Sequence, residues 1–105
     1  MSVIYRVNMS DLSVRCETPE EVYRDLGGRA LTSALLDREV PAACHPLGAD
    51  NKLVFAPGIL TGTGAPCGGR LSAGAKSPLT GGIKESNAGG MGALALAALG
   101  IKAIV

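Results

Sequence analysis

The residues best suited to chemistry are three glycine patterns and the cations among them. The stretch Gly62–Arg70 (GTGAPCGGR) looks at first like a phosphate-binding loop. No G-x-x-x-x-G-K-[ST] can be drawn through it, however, and it holds no lysine followed by Ser or Thr to reach phosphate and magnesium. Gly90-Met-Gly92-Ala-Leu-Ala95 matches G-x-G-x-x-A ahead of a helix. A dinucleotide fold also needs an acidic residue about 20 positions on, and the sequence shows none. The third pattern is a composite: LTGTGAPCGGR, then AKSPLTGGI, then SNAGG followed by a small-residue helix. Glycines let backbone approach a ligand closely, and free N–H groups where a helix begins face an anion. Residues 53–105 carry Arg70, Lys76, Lys84 and Lys102 against Glu85 alone, a net of +3. Backbone N–H groups with scattered cations suit an anionic ligand such as a phosphate. The same lysines also read as a solvated, loop-rich surface.

The elements that must position these groups are legible from periodicity. Val3, Tyr5 and Val7 alternate with Ile4 and Arg6 as in a short strand, and Leu12–Cys16 continues it as a hairpin around Asn8–Asp11. Thr18-Pro-Glu-Glu21 offers a helix N-cap with a capping glutamate. The short helix it starts carries Val22 and Leu26 and stops at Gly27-Gly28. A second helix runs from about Arg29 to Glu39, with Leu31, Ala34 and Leu35 on one face, and ends at Pro41; Pro41–Asn51 is loop. Lys52–Ala56 (KLVFA) reads as a buried strand. Leu71–Lys76 (LSAGAK) reads as a strand of small residues against which something packs closely. Ser77–Gly82 is a turn, Ile83–Ser86 a short strand, Met91–Leu99 an Ala/Leu helix stopped by Gly100, and Ile101–Val105 a strand.

Composition excludes several classes. Of 105 residues 47% are apolar and the net charge is +1, which is unlike a disordered tail. Of the 15 glycines, 12 lie between Gly58 and Gly100 without a three-residue period, so collagen is excluded. No run of roughly 18 apolar residues exists to span a membrane. The cations are too dispersed for a nucleic-acid stripe, and no aromatic follows Gly58 to stack on bases. Cys16, Cys44 and Cys67 are widely spaced with no C-x-x-C, which supports neither a zinc or iron–sulfur site made by this chain alone nor a disulfide scaffold. His45 neighbours Cys44, and adjacent residues do not face each other as a catalytic pair. The N-terminus has no secretory h-region, which makes a reducing cytoplasm the default.

The composite pattern resembles the N-terminal domain of the aldehyde:ferredoxin oxidoreductase family. Those enzymes carry tungsten, in some cases molybdenum, on a bis-pterin cofactor beside a 4Fe-4S cluster. IYRVNMSDLSV is similar to the family's opening hairpin and LGGRALTSALL to its first helix, so the likeness covers nearly the whole chain. Gly-Gly-Arg70 and Asn87-Ala-Gly-Gly stand 17 residues apart, as the family has them. The resemblance implies that Arg70 lies between pterin and cluster, donating hydrogen bonds; without it, Arg70 reads as an ordinary surface or strand-edge arginine. It implies that the backbone carbonyl of Asn87 helps ligate a magnesium ion bridging the pterin phosphates, with Ala88, Gly89 and Gly90 as close-approach backbone. The family's cluster cysteines and acid–base residues belong to later domains, so this chain is not expected to ligate the 4Fe-4S cluster. Cys67 stands where the family requires no cysteine and reads as a buried small residue.

The fold expected is α+β: a mainly antiparallel sheet with two or three short helices, half of the family's saddle-like N-terminal domain. Residues 1–105 are expected to be one partial domain, truncated at the C-terminus. Two functions follow. The chain is a fragment or subunit of a tungsten- or molybdenum-pterin oxidoreductase that converts aldehydes to acids with ferredoxin as acceptor, contributing cofactor-cradling residues and no catalytic group. Alternatively, it is a catalytically inactive stand-alone binding or oligomerisation module derived from that domain. The partners implied are a remainder-of-enzyme chain or further copies of itself, with neither nucleic acid nor membrane. The helix Met91–Leu99 and strand Ile101–Val105 are expected to leave an apolar edge open to self-association.

Overall fold

Alternating residues at the N-terminus form a hairpin in the computed structural model, which describes residues 2–64 and 68–105. Strand β1 (Val3–Asn8) pairs antiparallel with β2 (Ser13–Glu17). Leu12 turns the corner at φ 58°, which delays the second strand by one residue and carries it on to Glu17. The capping box expected at Thr18 does not form. Helix α1 is a single turn, Glu21–Arg24, preceded by Glu20 with no side-chain cap. Helix α2 spans Gly28–Glu39. Then come β3 (Val54–Pro57), β4 (Leu71–Lys76), β5 (Ile83–Ala88), α3 (Gly92–Ala98) and β6 (Ile101–Ile104).

The six strands make one mixed sheet in the order β2-β1-β6-β3-β4-β5, giving an α+β fold. Only β1 and β6 run parallel; every other pair is antiparallel. This corrects the expectation of an open C-terminal edge. β6 lies inside the sheet between β1 and β3, with Ala103 fully buried, and the edges are β2 and β5. A return through α3 lets β6 enter beside β1, and parallel pairing of this kind needs such a crossover.

One face of the sheet holds the core. Leu31, Leu35 and Leu36 of α2 pack with Ile4, Val54, Ala56 and Ala103 from the strands. Burying each leucine stabilises the fold by about 1.5–3 kcal/mol. The small residues of β4 are the footprint of α2. A Cβ on Gly74 would stand 2.9 Å from Thr32 Cβ and 3.3 Å from Leu36 Cδ1. Leu71 alternates to the opposite face, where a Cβ at Gly92, the first residue of α3, would lie 3.9 Å from its Cδ2.

A charged cluster ties α1 and α2 to the hairpin. Glu39 accepts two hydrogen bonds from Arg6 (Nη1 2.6 Å, Nη2 2.9 Å), one from Tyr23 Oη (2.8 Å) and one from Lys52 Nζ (3.0 Å). Arg6 Nε donates to Glu17 at 2.5 Å. Burial alone would raise the Glu39 carboxyl, but the hydrogen bonds from Arg6, Tyr23 and Lys52 and the charge of Arg6 outweigh it and hold it at about 2. Burial, then the bond to Glu39, pushes Tyr23 up to about 12. In the acid range, where Glu39 governs, the native state binds fewer protons than the unfolded chain, whose glutamates titrate near ~4.3. Stability is expected to be complete above about pH 5 and to fall toward about pH 2, by about 2 kcal/mol after allowance for solvent screening. Urea unfolding between about pH 6 and pH 3 checks this, and a flat profile contradicts it.

Candidate functional site

The two glycine motifs meet at one end of the β4–β5 hairpin. Leu71 pairs with Ala88 and Ser72 with Asn87, so the same register carried outward sets Arg70 across from Gly89 at one step and Gly69 across from Gly90 at two. A Cβ on Gly89 would lie 3.6 Å from Arg70 Nη1, and one on Gly69 would lie 3.6 Å from the Gly90 carbonyl oxygen. Gly90 has φ 123°, a backbone conformation that side chains disfavour. The separation of 17 residues is thus the length of a hairpin that returns the second motif to the first.

Strand β5 runs past the Ile83–Ser86 expected from sequence and takes in Asn87 and Ala88. The hydrogen-bond alternation fixes where their backbone points. Ser77 N–H donates to Gly82 O across the hairpin at 2.7 Å, so pairs two residues on, ending with Leu71–Ala88, are the hydrogen-bonded ones. Ser72–Asn87 is therefore a non-hydrogen-bonded pair. The N–H and C=O of Asn87 point away from β4, toward the open edge of the sheet. Asn87, Ala88, Gly89, Gly90 and Arg70 are all exposed.

The cations of this half of the chain have separate roles. Lys76 Nζ donates to the carbonyls of Ala42 and Cys44, both at 2.6 Å, and fastens the 41–51 loop. Burial pushes the Lys102 ammonium below its ordinary range. Arg70 pairs with no carboxylate among the described residues. Helix α3, with only seven residues, adds little dipole of its own. His45 is exposed, its Nδ1 accepting the Leu47 N–H at 3.1 Å, and has no place in the site. Cys67 lies outside the described residues.

Sequence reasoning missed three residues behind Asn87: Ser72, Glu85 and Arg29. Glu85 was legible in principle, because residues two apart on a strand share a face and it is the sole carboxylate after residue 53. A cleft of about 950 Å³ lies elsewhere, beside Arg6, Glu39 and Lys52. The motif end is a backbone platform bordered by the Arg70 guanidinium. Among the described residues no three His, Cys, Asp or Glu side chains gather as metal ligands, and no helix is long and apolar enough to cross a membrane. Exposed glycine backbone, an outward carbonyl and Arg70 fit an anionic group with an associated cation.

Comparisons with known proteins identify the family. A family model described as aldehyde ferredoxin oxidoreductase, N-terminal domain, matches residues 4–105. The tungsten-containing aldehyde ferredoxin oxidoreductase of Pyrococcus furiosus is 43% identical over 102 residues, which are 95% of this chain and 17% of that protein. Its counterpart from Thermococcus kodakarensis is 45% identical over 102 residues, with the same coverage. Among solved structures, the active site complex BamBC of benzoyl coenzyme A reductase with 1,5 dienoyl-CoA superposes with a TM-score of 0.91 at 28% identity. It covers 98% of this chain and 16% of that one. The chain thus spans about a sixth of the length of each protein it matches.

Proposed function

This chain belongs to the family of aldehyde ferredoxin oxidoreductase N-terminal domains, and from that premise we propose that it is one part of a tungsten- or molybdenum-pterin oxidoreductase and forms part of the seat of its cofactor. When bound, such a cofactor supplies the redox chemistry by which aldehydes become acids, with ferredoxin as the acceptor and a 4Fe-4S cluster held by other domains in a cytoplasmic enzyme. The chain's own contribution is binding and orientation. Arg70 offers a planar fork of donors to the pterin, and Gly89 and Gly90 keep the backbone bare so that a flat ligand can approach. Asn87 would offer its outward carbonyl to a magnesium ion associated with the cofactor, a hard cation that takes oxygen ligands. Ala88 continues the same exposed edge. The other domains of the enzyme, or a chain that carries them, are the partners this requires.

The observation that carries the reading is the Arg70 guanidinium, without a carboxylate partner among the described residues, beside Gly89 and two residues from an outward-facing Asn87 carbonyl. Native purification of the chain with the remainder of its enzyme tests it. Tungsten or molybdenum measured by mass spectrometry, together with the fluorescence of oxidised pterin, is expected in constant ratio to protein; absence of both overturns the reading. Arg70→Ala is expected to lower retained pterin after gel filtration about tenfold, the loss of a charged hydrogen bond. Because Arg70 is exposed, the melting temperature is expected to stay within about 2 °C.

A further inference from the structure

A residue that serves through its backbone carbonyl needs no particular side chain, yet the side chain of Asn87 is held at both ends. Ser72 Oγ, on a residue only 3% exposed, lies 2.9 Å from Asn87 Oδ1. Asn87 Nδ2 donates to Glu85 Oε1 at 2.5 Å. Arg29 Nε, in the first turn of α2, donates to Glu85 Oε2 at 3.1 Å. The orientation is forced. A carboxylate only accepts, so the amide nitrogen must face Glu85, the amide oxygen must face Ser72, and Ser72 must donate. The chain of bonds runs from the buried face of β4, through the edge strand, to α2. Residues 29 and 85 stand 56 apart in sequence, so the link to α2 depends on the tertiary fold.

We propose that Ser72, Glu85 and Arg29 are positioning residues that lock the Asn87 peptide on the sheet edge, so that its carbonyl keeps one direction toward the cation of the bound cofactor. This rests on the reading of Asn87 given above and supplies the reason for asparagine at that position. Aspartate would set a second carboxylate against Glu85 with no donor between them. Alanine would leave the Ser72 hydroxyl and one Glu85 oxygen without their partner. On this edge strand the Ala88–Leu71 pair holds the inner side of the Asn87–Ala88 peptide, while the outward carbonyl has no ladder partner, so the side-chain bonds of Asn87 add the remaining restraint on its direction. Glu85, with a side chain only 11% exposed, is the joint of this support.

The test is magnesium retention in the natively purified holoprotein, followed by mass spectrometry during challenge with EDTA. Glu85→Ala is expected to speed magnesium loss at least about tenfold, the range seen when a group behind a metal ligand is removed. Asn87→Asp, which keeps the backbone carbonyl, is expected to match it. The double variant Asn87→Asp with Glu85→Gln restores a donor facing an acceptor and is expected to return retention to within about threefold of the parent. That rescue is a readout a generally weakened fold would not give. Thermal melts of each variant identify any that fail to fold, and Glu85→Gln alone, which keeps an acceptor oxygen for Asn87 Nδ2, then stands in for Glu85→Ala with about threefold faster loss. Unchanged retention in Glu85→Ala or Glu85→Gln, or no rescue in the double variant, overturns the positioning role. A parent protein that holds pterin but no magnesium overturns the reading of Asn87 itself, and the two failures are thereby distinct.

Discussion

Glu39→Ala is expected to cost about 3 kcal/mol of stability and to lower the melting point by about 15 °C. Glu39 gathers four hydrogen bonds from three residues, two of them a paired fork from Arg6. Its side chain is 21% exposed and that of Arg6 15%, so water reaches neither well. Removing the carboxylate leaves Arg6 with Glu17 alone and leaves the Tyr23 hydroxyl, on a residue 1% exposed, without its acceptor. The desolvation of those groups then stands uncompensated. Glu39→Gln preserves the shape and one acceptor oxygen but abolishes the charge, and is expected to lose about half as much. The acid profile supplies the control. Both variants should lose the rise in stability between about pH 2 and pH 5, because the group responsible is gone. A variant that is less stable but keeps the parent's pH slope would assign the slope to another carboxylate. Chemical denaturation with an unchanged m-value is the measurement.

The second large effect is Gly27→Ala, expected to destabilise by about 3 kcal/mol. The backbone of Gly27 is extended, so the cost is not conformational. A Cβ there would stand 2.5 Å from the backbone nitrogen of Ile59 and 2.9 Å from its Cα. No flexible side-chain end is available to give way. The Ile59 backbone is itself pinned, because Thr61 N–H donates to Gly58 O at 3.1 Å and Thr61 Oγ1 bonds the carbonyl of Gly68. Any displacement of Ile59 therefore reaches the chain two residues from Arg70. Gly82→Ala is the matched control. Its nearest neighbour would be Thr80 Oγ1 at 3.9 Å, and it is expected to change stability by less than about 0.5 kcal/mol. Equal melting points for the two variants would refute the packing account.

The local readings survived where the signal was local. Alternation around Tyr5 located the hairpin, and Leu31, Ala34 and Leu35 located the buried face of α2. The small residues of LSAGAK announced a close contact before α2 could be named as its source. Thr18 misled because a capping box stabilises a helix long enough to need it, and four residues are not. The strand read as Ile83–Ser86 runs two residues further, because pairing with Leu71 and Ser72 draws Asn87 and Ala88 into β5.

What the sequence by itself determined is the set of elements, the two glycine motifs and the family they belong to. Each rests on residue type and on spacing along the chain, which are properties of a line. The tertiary structure alone decided which way that line faces its neighbours. It inserted β6 between β1 and β3, joined Arg6 to Glu39 across 33 residues and Arg29 to Glu85 across 56, and turned the Asn87 carbonyl outward. The physical reason is that hydrogen-bond alternation and ion pairing depend on register between strands. Register is set by packing against α2 and by the turn at Ser77–Gly82, and no single segment carries it.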